Sequence, residues 1–160
     1  MERWFEHRTA RHIKLVQRAG TSLFRFFADP EDLTLFKQRL KGHDRTKYGP
    51  QERVPYIFIS WWYKHKDTPT PYEYPPGIEA WTHRASEHHV RMNLHHPEAH
   101  GADDRMQDVD LVDMVADWGG MSLELGTSLR EWAAKDIPNY SFTTQQVQTI
   151  WDLVDMTGIK

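Results

Sequence analysis

The chain reads as all-α, and three observations lead to that reading. Apolar residues recur at three- and four-residue spacing through most of the 160 residues. Helix start and stop signals punctuate that periodicity, at Asp29-Pro30-Glu31-Asp32, at Thr143-Thr144-Gln145-Gln146 and at Gly158. The strongest breakers fall between the periodic stretches, with four prolines gathered in the segment Asp67 to Gly77.

The first helix is expected from Arg8 to Phe27, with Phe5, His12, Val16, Ala19 and Leu23 on one face and Phe26 beside it. Asp29 is an N-cap candidate, and Pro30 suits the first helical position, where its missing N–H costs nothing. The acids after it face the positive helix end. The second helix then runs to about Asp44, with Leu33, Phe36 and Leu40 inward and His43 and Asp44 at the edges of that stripe. Gly49-Pro50-Gln51-Glu52 restarts the chain into an aromatic segment, Tyr56 to Tyr63, read as a helix although its composition also suits a strand. Asp67 to Gly77 follows as a long loop, either a lid or a surface connection.

Six of the ten histidines lie between His83 and His100. At about 100° per residue, Ile78, Trp81, Ala85 and Met92 form an apolar stripe, with His88, His89, His95 and His96 on or beside it. His83 points away, and Pro97 ends this helix near His95. A loop from Glu98 to Asp104 leads to a helix from about Met106 to Leu125, in which Leu111, Met114, Trp118 and Leu125 face the core. Asp110 and Asp117 sit beside them, and Asp113 lies further toward solvent. A short helix over Ser128 to Ala134 and a capping-box helix through Val147, Ile150, Trp151 and Val154 complete the chain.

A chain of this length is expected to form one domain, residues 1–160, with a core large enough to stand without staples. Cysteine is absent, which excludes disulfides, thiolate metal sites and a cysteine nucleophile, so any metal must be held by nitrogen and oxygen. The charged start of the chain lacks a signal-peptide pattern, and no apolar run reaches membrane length. A formal net charge of −3 speaks against nucleic acid as a partner. The expectation is a cytoplasmic protein acting on something small. Trp61, Trp62 and Trp81 offer area for contact between copies without fixing an oligomeric state.

Imidazoles on an inward face must be hydrogen-bonded or bind a ligand. Collected in chain order, the inward polar residues are His12, the doublet His43-Asp44, the histidine cluster, then Asp110 and Asp117. That order resembles the HD-domain superfamily of metal-dependent phosphohydrolases, whose signature is H…HD…D on a helical bundle. The resemblance implies an HD-domain-like bundle with His12, His43, Asp44 and Asp117 as metal ligands.

A closer resemblance covers nearly the whole chain. It is to a family of small phage and bacterial proteins with His-Asp-x-Ser-Lys, Asn-x-His-His-Pro-Glu and Glu-Met-x-x-Asp-Trp motifs. Here these read His43-Asp44-Arg45-Thr46-Lys47, Asn93-Leu94-His95-His96-Pro97-Glu98 and Asp113-Met114-Val115-Ala116-Asp117-Trp118, with Thr46 and Asp113 departing from the pattern. A phage origin would make the location the host cytoplasm.

The chemistry agrees with the resemblance. A nitrogen and oxygen donor set suits one or two divalent cations, Mn, Fe, Co, Ni or Zn, with Mg also admitted. Such a cation lowers the pKa of bound water toward neutrality, and a second clamps phosphoryl oxygens. On this reading His89 and His96 hold a second metal, because His88 and His89, as neighbours, cannot both aim at one point. His95 is a ligand or proton donor, and Lys47 neutralises a substrate phosphate. His88, Asn93, Glu98, Asp110 and Asp113 are expected around the ligands or the substrate. The function expected is hydrolysis of a nucleotide or related small phosphoester. The alternative is a non-catalytic metal-binding or interaction protein on the same scaffold, and a more remote one a di-iron oxygenase.

Overall fold

In the computed structural model, residues 1–101 and 105–159 are described. Among them are seven α-helices and no strand: α1 (Glu2–Thr21), α2 (Pro30–Gly42), α3 (Arg53–His65), α4 (Ile78–Met92), α5 (Asp108–Leu125), α6 (Leu129–Asp136) and α7 (Thr144–Thr157). The fold is all-α. No described helix is long and apolar enough to cross a membrane. The expected loop from Glu98 to Asp104 runs into residues 102–104, which lie outside the described residues.

The chain divides into two compact units. One comprises Met1–Arg11 and Asp44–Asn93, the other His12–His43 and Leu94–Lys160. The second unit holds the larger apolar core. α5 runs through it with Leu111, Val112, Met114, Val115 and Ala116 all buried, packed by Phe36 and Leu40 of α2, Leu129 of α6 and Ile150 and Leu153 of α7. A helix apolar on nearly every side belongs inside a core. Gly119 and Gly120 of α5 let α1 approach closely. A Cβ on Gly120 would meet the Val16 backbone, 2.9 Å from its nitrogen and 3.0 Å from its Cα, and one on Gly119 would lie 2.9 Å from the Ala19 Cβ. His12 stands one turn before Val16, and Asp117 just before the glycines, so this approach is what sets their distance.

In the first unit α3 packs on α4. Phe5 of α1 is fully buried, its ring 5.7 Å from that of Tyr48. Arg53 ties the start of α3 to Glu2 and Glu6, and the Trp4 indole donates to the Ser60 carbonyl.

Several boundaries differ from the sequence expectation, each for a local reason. α1 begins at Glu2, since nothing before Arg8 breaks a helix and the acid favours its first turn. It ends at Thr21, and Phe24–Phe26 is a separate 3-10 turn. α2 stops at Gly42, so His43 and Asp44 are not on a helix: His43 is its C-cap in extended backbone, and Asp44 takes the left-handed conformation (φ 57°). α4 stops at Met92, leaving His95 and His96 beyond it. Asn93 ends it, its amide donating 2.6 Å to the His89 carbonyl. Trp81 and Met92 are exposed, and the buried face of α4 is Thr82, Ala85 and His89. Leu125 is exposed beside the C-cap Gly126, whereas Asp113, expected toward solvent, is buried.

The caps at Asp29 and Thr143 form as the sequence predicts; Thr143 accepts from the Gln146 N–H and Gln146 reaches back to the Thr143 N–H. Thr143→Ala is expected to cost about 1 kcal/mol, which thermal unfolding would register as a drop in Tm of roughly 2–4 °C.

Candidate metal centre

In the second unit, three side chains from separate helices meet. α1 supplies His12, the C-cap of α2 supplies His43, and α5 supplies Asp117. His12 Nε2 lies 3.0 Å and His43 Nε2 3.2 Å from Asp117 Oδ1, and the two Nε2 atoms are 3.4 Å apart. His95 joins them from the chain after α4, its ring 4.7 Å from that of His43. One donor atom each from His43, His95 and Asp117 lies within 4.8 Å of the others. Both His12 and His43 are buried, while the Asp117 side chain keeps 16 % of its surface accessible and is the most open of the three.

Charge is arranged to keep Asp117 ionised. Burial would raise its pKa, but the hydrogen bonds and charges of His12 and His43 outweigh that and hold it well below the usual carboxylate range. Carboxylates also stand behind the rings: Glu124 is 3.5 Å from His12 Nδ1, and Asp113 is 3.8 Å from His95 Nδ1. Burial pushes the Asp113 carboxyl up to about 6, reinforced by Asp117 and Asp110 and opposed by His43 and Arg39.

The spacing within this triad fits a cation. Ligands at about 2.1 Å from one ion lie about 3.0 Å apart at right angles and about 3.4 Å apart in a tetrahedron. The three measured separations fall in that interval. The buried His/Asp cluster could therefore hold a metal ion, with nitrogen and oxygen donors only.

The first unit carries a second polar cluster, organised around a carboxylate with no exposed surface. Glu52 Oε1 accepts from His88 Nδ1 at 2.7 Å, and Oε2 accepts from His89 Nδ1 and from the Thr46 hydroxyl, both at 2.9 Å. His89 Nε2 is 3.2 Å from Asp44 Oδ1, and the Lys47 ammonium is 2.6 Å from Asp44 Oδ2. Burial would raise the Glu52 pKa, yet the histidines and Thr46 hold it below the ordinary value. Burial would lower that of His89, yet Asp44 and Glu52 push it above the ordinary imidazole value.

A family model described as "Family of unknown function (DUF5662)" matches residues 1–156. The chain belongs to this family. No curated protein and no solved structure matches the chain.

In this member of the family, the residues singled out by sequence separate into three groups. His12, His43, His95 and Asp117 come together in the second unit, with Asp113 behind His95. Asp44, Lys47, His88, His89 and Asn93 come together in the first, where Asn93 donates to the Thr46 hydroxyl at 3.1 Å. His88 and His89, expected to diverge, reach the same group, because one carboxylate presents two oxygens.

The third group is occupied elsewhere. Both oxygens of Asp110 are engaged, by Arg39 at 2.5 Å and by the Gln107 N–H at 2.7 Å, which makes it a capping and ion-pair residue of α5. Glu98 is exposed and accepts from the Tyr140 hydroxyl. His96 is not one of these: it precedes the turn Pro97–Ala99 beside His95, the two rings tilted with centroids 4.3 Å apart, and it belongs with His95 among the histidines that could hold a metal ion. Glu52 and Glu124 were not singled out. Glu124 is seven residues after Asp117, two turns on along the same face, and that spacing is a usable signal. Glu52 carries none, for it reads as an ordinary acid before a helix.

Proposed function

We propose that the protein is a metal-dependent phosphohydrolase acting on a nucleotide or a related small phosphoester. What carries the reading is the triad of His12, His43 and Asp117, whose donor atoms are spaced 3.0–3.4 Å apart as ligands of one cation would be. Its order along the chain agrees with the HD resemblance.

A bound divalent cation supplies a water molecule acidic enough to act as nucleophile near neutral pH. The chain does the rest. His12 and His43 present Nε2 from rigid positions, and Asp117 contributes its negative charge. Glu124 holds the His12 ring from the Nδ1 side. His95, beside His43 and backed by Asp113, is the proton donor for the leaving group. By the resemblance alone, the His43-Asp44-Arg45-Thr46-Lys47 motif also offers Asp44 as a further ligand and Lys47 as a cation for substrate phosphate.

A phosphate-release assay on nucleotides and small phosphoesters with Mn, Co, Fe, Mg and Zn tests the reading. Release is expected only with added cation, and is expected to vanish with a chelator and in His43→Ala. Cation uptake without release of phosphate from any substrate would instead make the protein a metal-binding module.

A further inference from the structure

We infer that the outer face of α4 binds a nucleoside phosphate, in an open cavity of about 400 Å³ built by the first unit alone. Positions 81, 84, 88 and 91 share that face, spread over about 80° of the helical wheel at 100° per residue. They are Trp81, Arg84, His88 and Arg91, and all four line the cavity, together with Ala85 and Gln51. Its volume is that of a small-molecule site. One part of its wall is fixed, because the fully buried Glu52 carboxylate lies 2.7 Å from His88 Nδ1.

The two arginines select an anion. Among the described residues neither guanidinium has an ion-pair, hydrogen-bond or ring partner, whereas Arg39, Arg53 and Arg130 each hold a carboxylate. Glu87 is the one carboxylate lining the cavity, and it lies 3.6 Å from His83 Nδ1 instead. On the wheel it stands about 40° beyond Arg91, at the edge of the face. Seven residues separate Arg84 from Arg91, two turns or about 10.5 Å of helix axis. Their long side chains can close on one phosphate from two sides, and a guanidinium pairs with phosphate oxygens two at a time.

Trp81 supplies the surface for a base. Trp61 packs on His65, and Trp62 on Tyr63 and Tyr74, but the Trp81 indole has no ring partner among the described residues and is exposed. It stands one turn before Arg84, about 4.5 Å along the axis, so a ring lying on the indole brings its phosphate toward the guanidiniums. Stacking of this kind accepts any base. The inference does not rest on the cation reading, since none of His12, His43 and Asp117 lines this cavity.

Proton–nitrogen spectra of the full chain, titrated with AMP or UMP in excess EDTA, provide the test, because the chelator keeps cations away from the triad. The Trp81 indole N–H and the Arg84 and Arg91 Nε–H resonances are expected to move with either nucleotide. Arg84→Gln and Arg91→Gln should each weaken binding about tenfold, as the loss of one charged hydrogen bond does. Trp81→Ala should also cost about tenfold, as the loss of one stacked base does. Adenosine and inorganic phosphate, each half of the ligand, should bind about tenfold more weakly than AMP or worse. All three side chains are exposed, so the variants are expected to melt with the wild type. Millimolar nucleotide that leaves these three resonances unmoved overturns the inference, as does undiminished affinity in the Arg84→Gln/Arg91→Gln double variant. Inorganic phosphate that binds as tightly as AMP overturns it too, by leaving Trp81 no part. Cation-dependent phosphate release without binding here would sink this inference and leave the hydrolase reading standing; binding here without release does the reverse.

Discussion

Gly120→Ala is expected to destabilise the protein by about 3 kcal/mol, the upper end of what overpacking costs, and to lower its Tm by roughly 6–12 °C. The added Cβ would lie 2.9 Å from the Val16 backbone nitrogen, and no side-chain rotation can relieve a clash with backbone. α1 must move off α5, and His12 moves with it. Weaker cation binding should therefore accompany the loss of stability. Gly42→Ala is the control, because a Cβ there meets nothing within 4 Å and the backbone is helical. Denaturant unfolding of the two variants should separate them clearly, and a Gly120→Ala protein within 0.5 kcal/mol of wild type, about the scatter of harmless surface changes, would show that the helices are not locked at this point.

The helices were legible because periodicity and caps are local properties. Asp29, Thr143 and Gly158 act as their residue types predict, and the face Phe5, His12, Val16, Ala19 and Leu23 is buried throughout. Where reading along a helical wheel failed, the cause was either burial on all sides or an early exit from the helix. α5 is covered nearly all round, so its apolar pattern no longer separates inside from outside, and Asp113 was misplaced. Asn93 and Asp44 stop or turn the backbone through their own side-chain and left-handed conformations, which moved His95, His96 and the His43-Asp44 doublet off their helices. His12, His43 and Asp117 meet despite this, and motif order as well as wheel position marks all three in the sequence. Glu52 is not marked, because its partners lie 36 and 37 residues away and no local pattern announces them.

Asp117→Ala should remove cation binding and phosphate release together, with a loss of affinity beyond the roughly 100-fold upper range for groups that only support a ligand. Asp117 Oδ1 is the atom shared by His12 and His43, at 3.0 and 3.2 Å, and the only negatively charged donor in that triad. Asp117→Asn keeps the shape without the charge and should bind almost as poorly. Asp113→Asn, which leaves the three donors in place, should lose far less. Calorimetric titration of the three variants with Mn²⁺ or Zn²⁺ gives the ranking. Equal affinities for Asp117→Ala and Asp113→Asn would remove Asp117 from the ligand set.

Anomalous diffraction from crystals grown with Mn²⁺ or Co²⁺ addresses the cation directly. A peak is expected within about 2.0–2.3 Å of His12 Nε2, His43 Nε2 and Asp117 Oδ1. No peak there at a saturating concentration of the ion, or one bound only by side chains outside this triad, would contradict the assignment of His12, His43 and Asp117 as a metal centre.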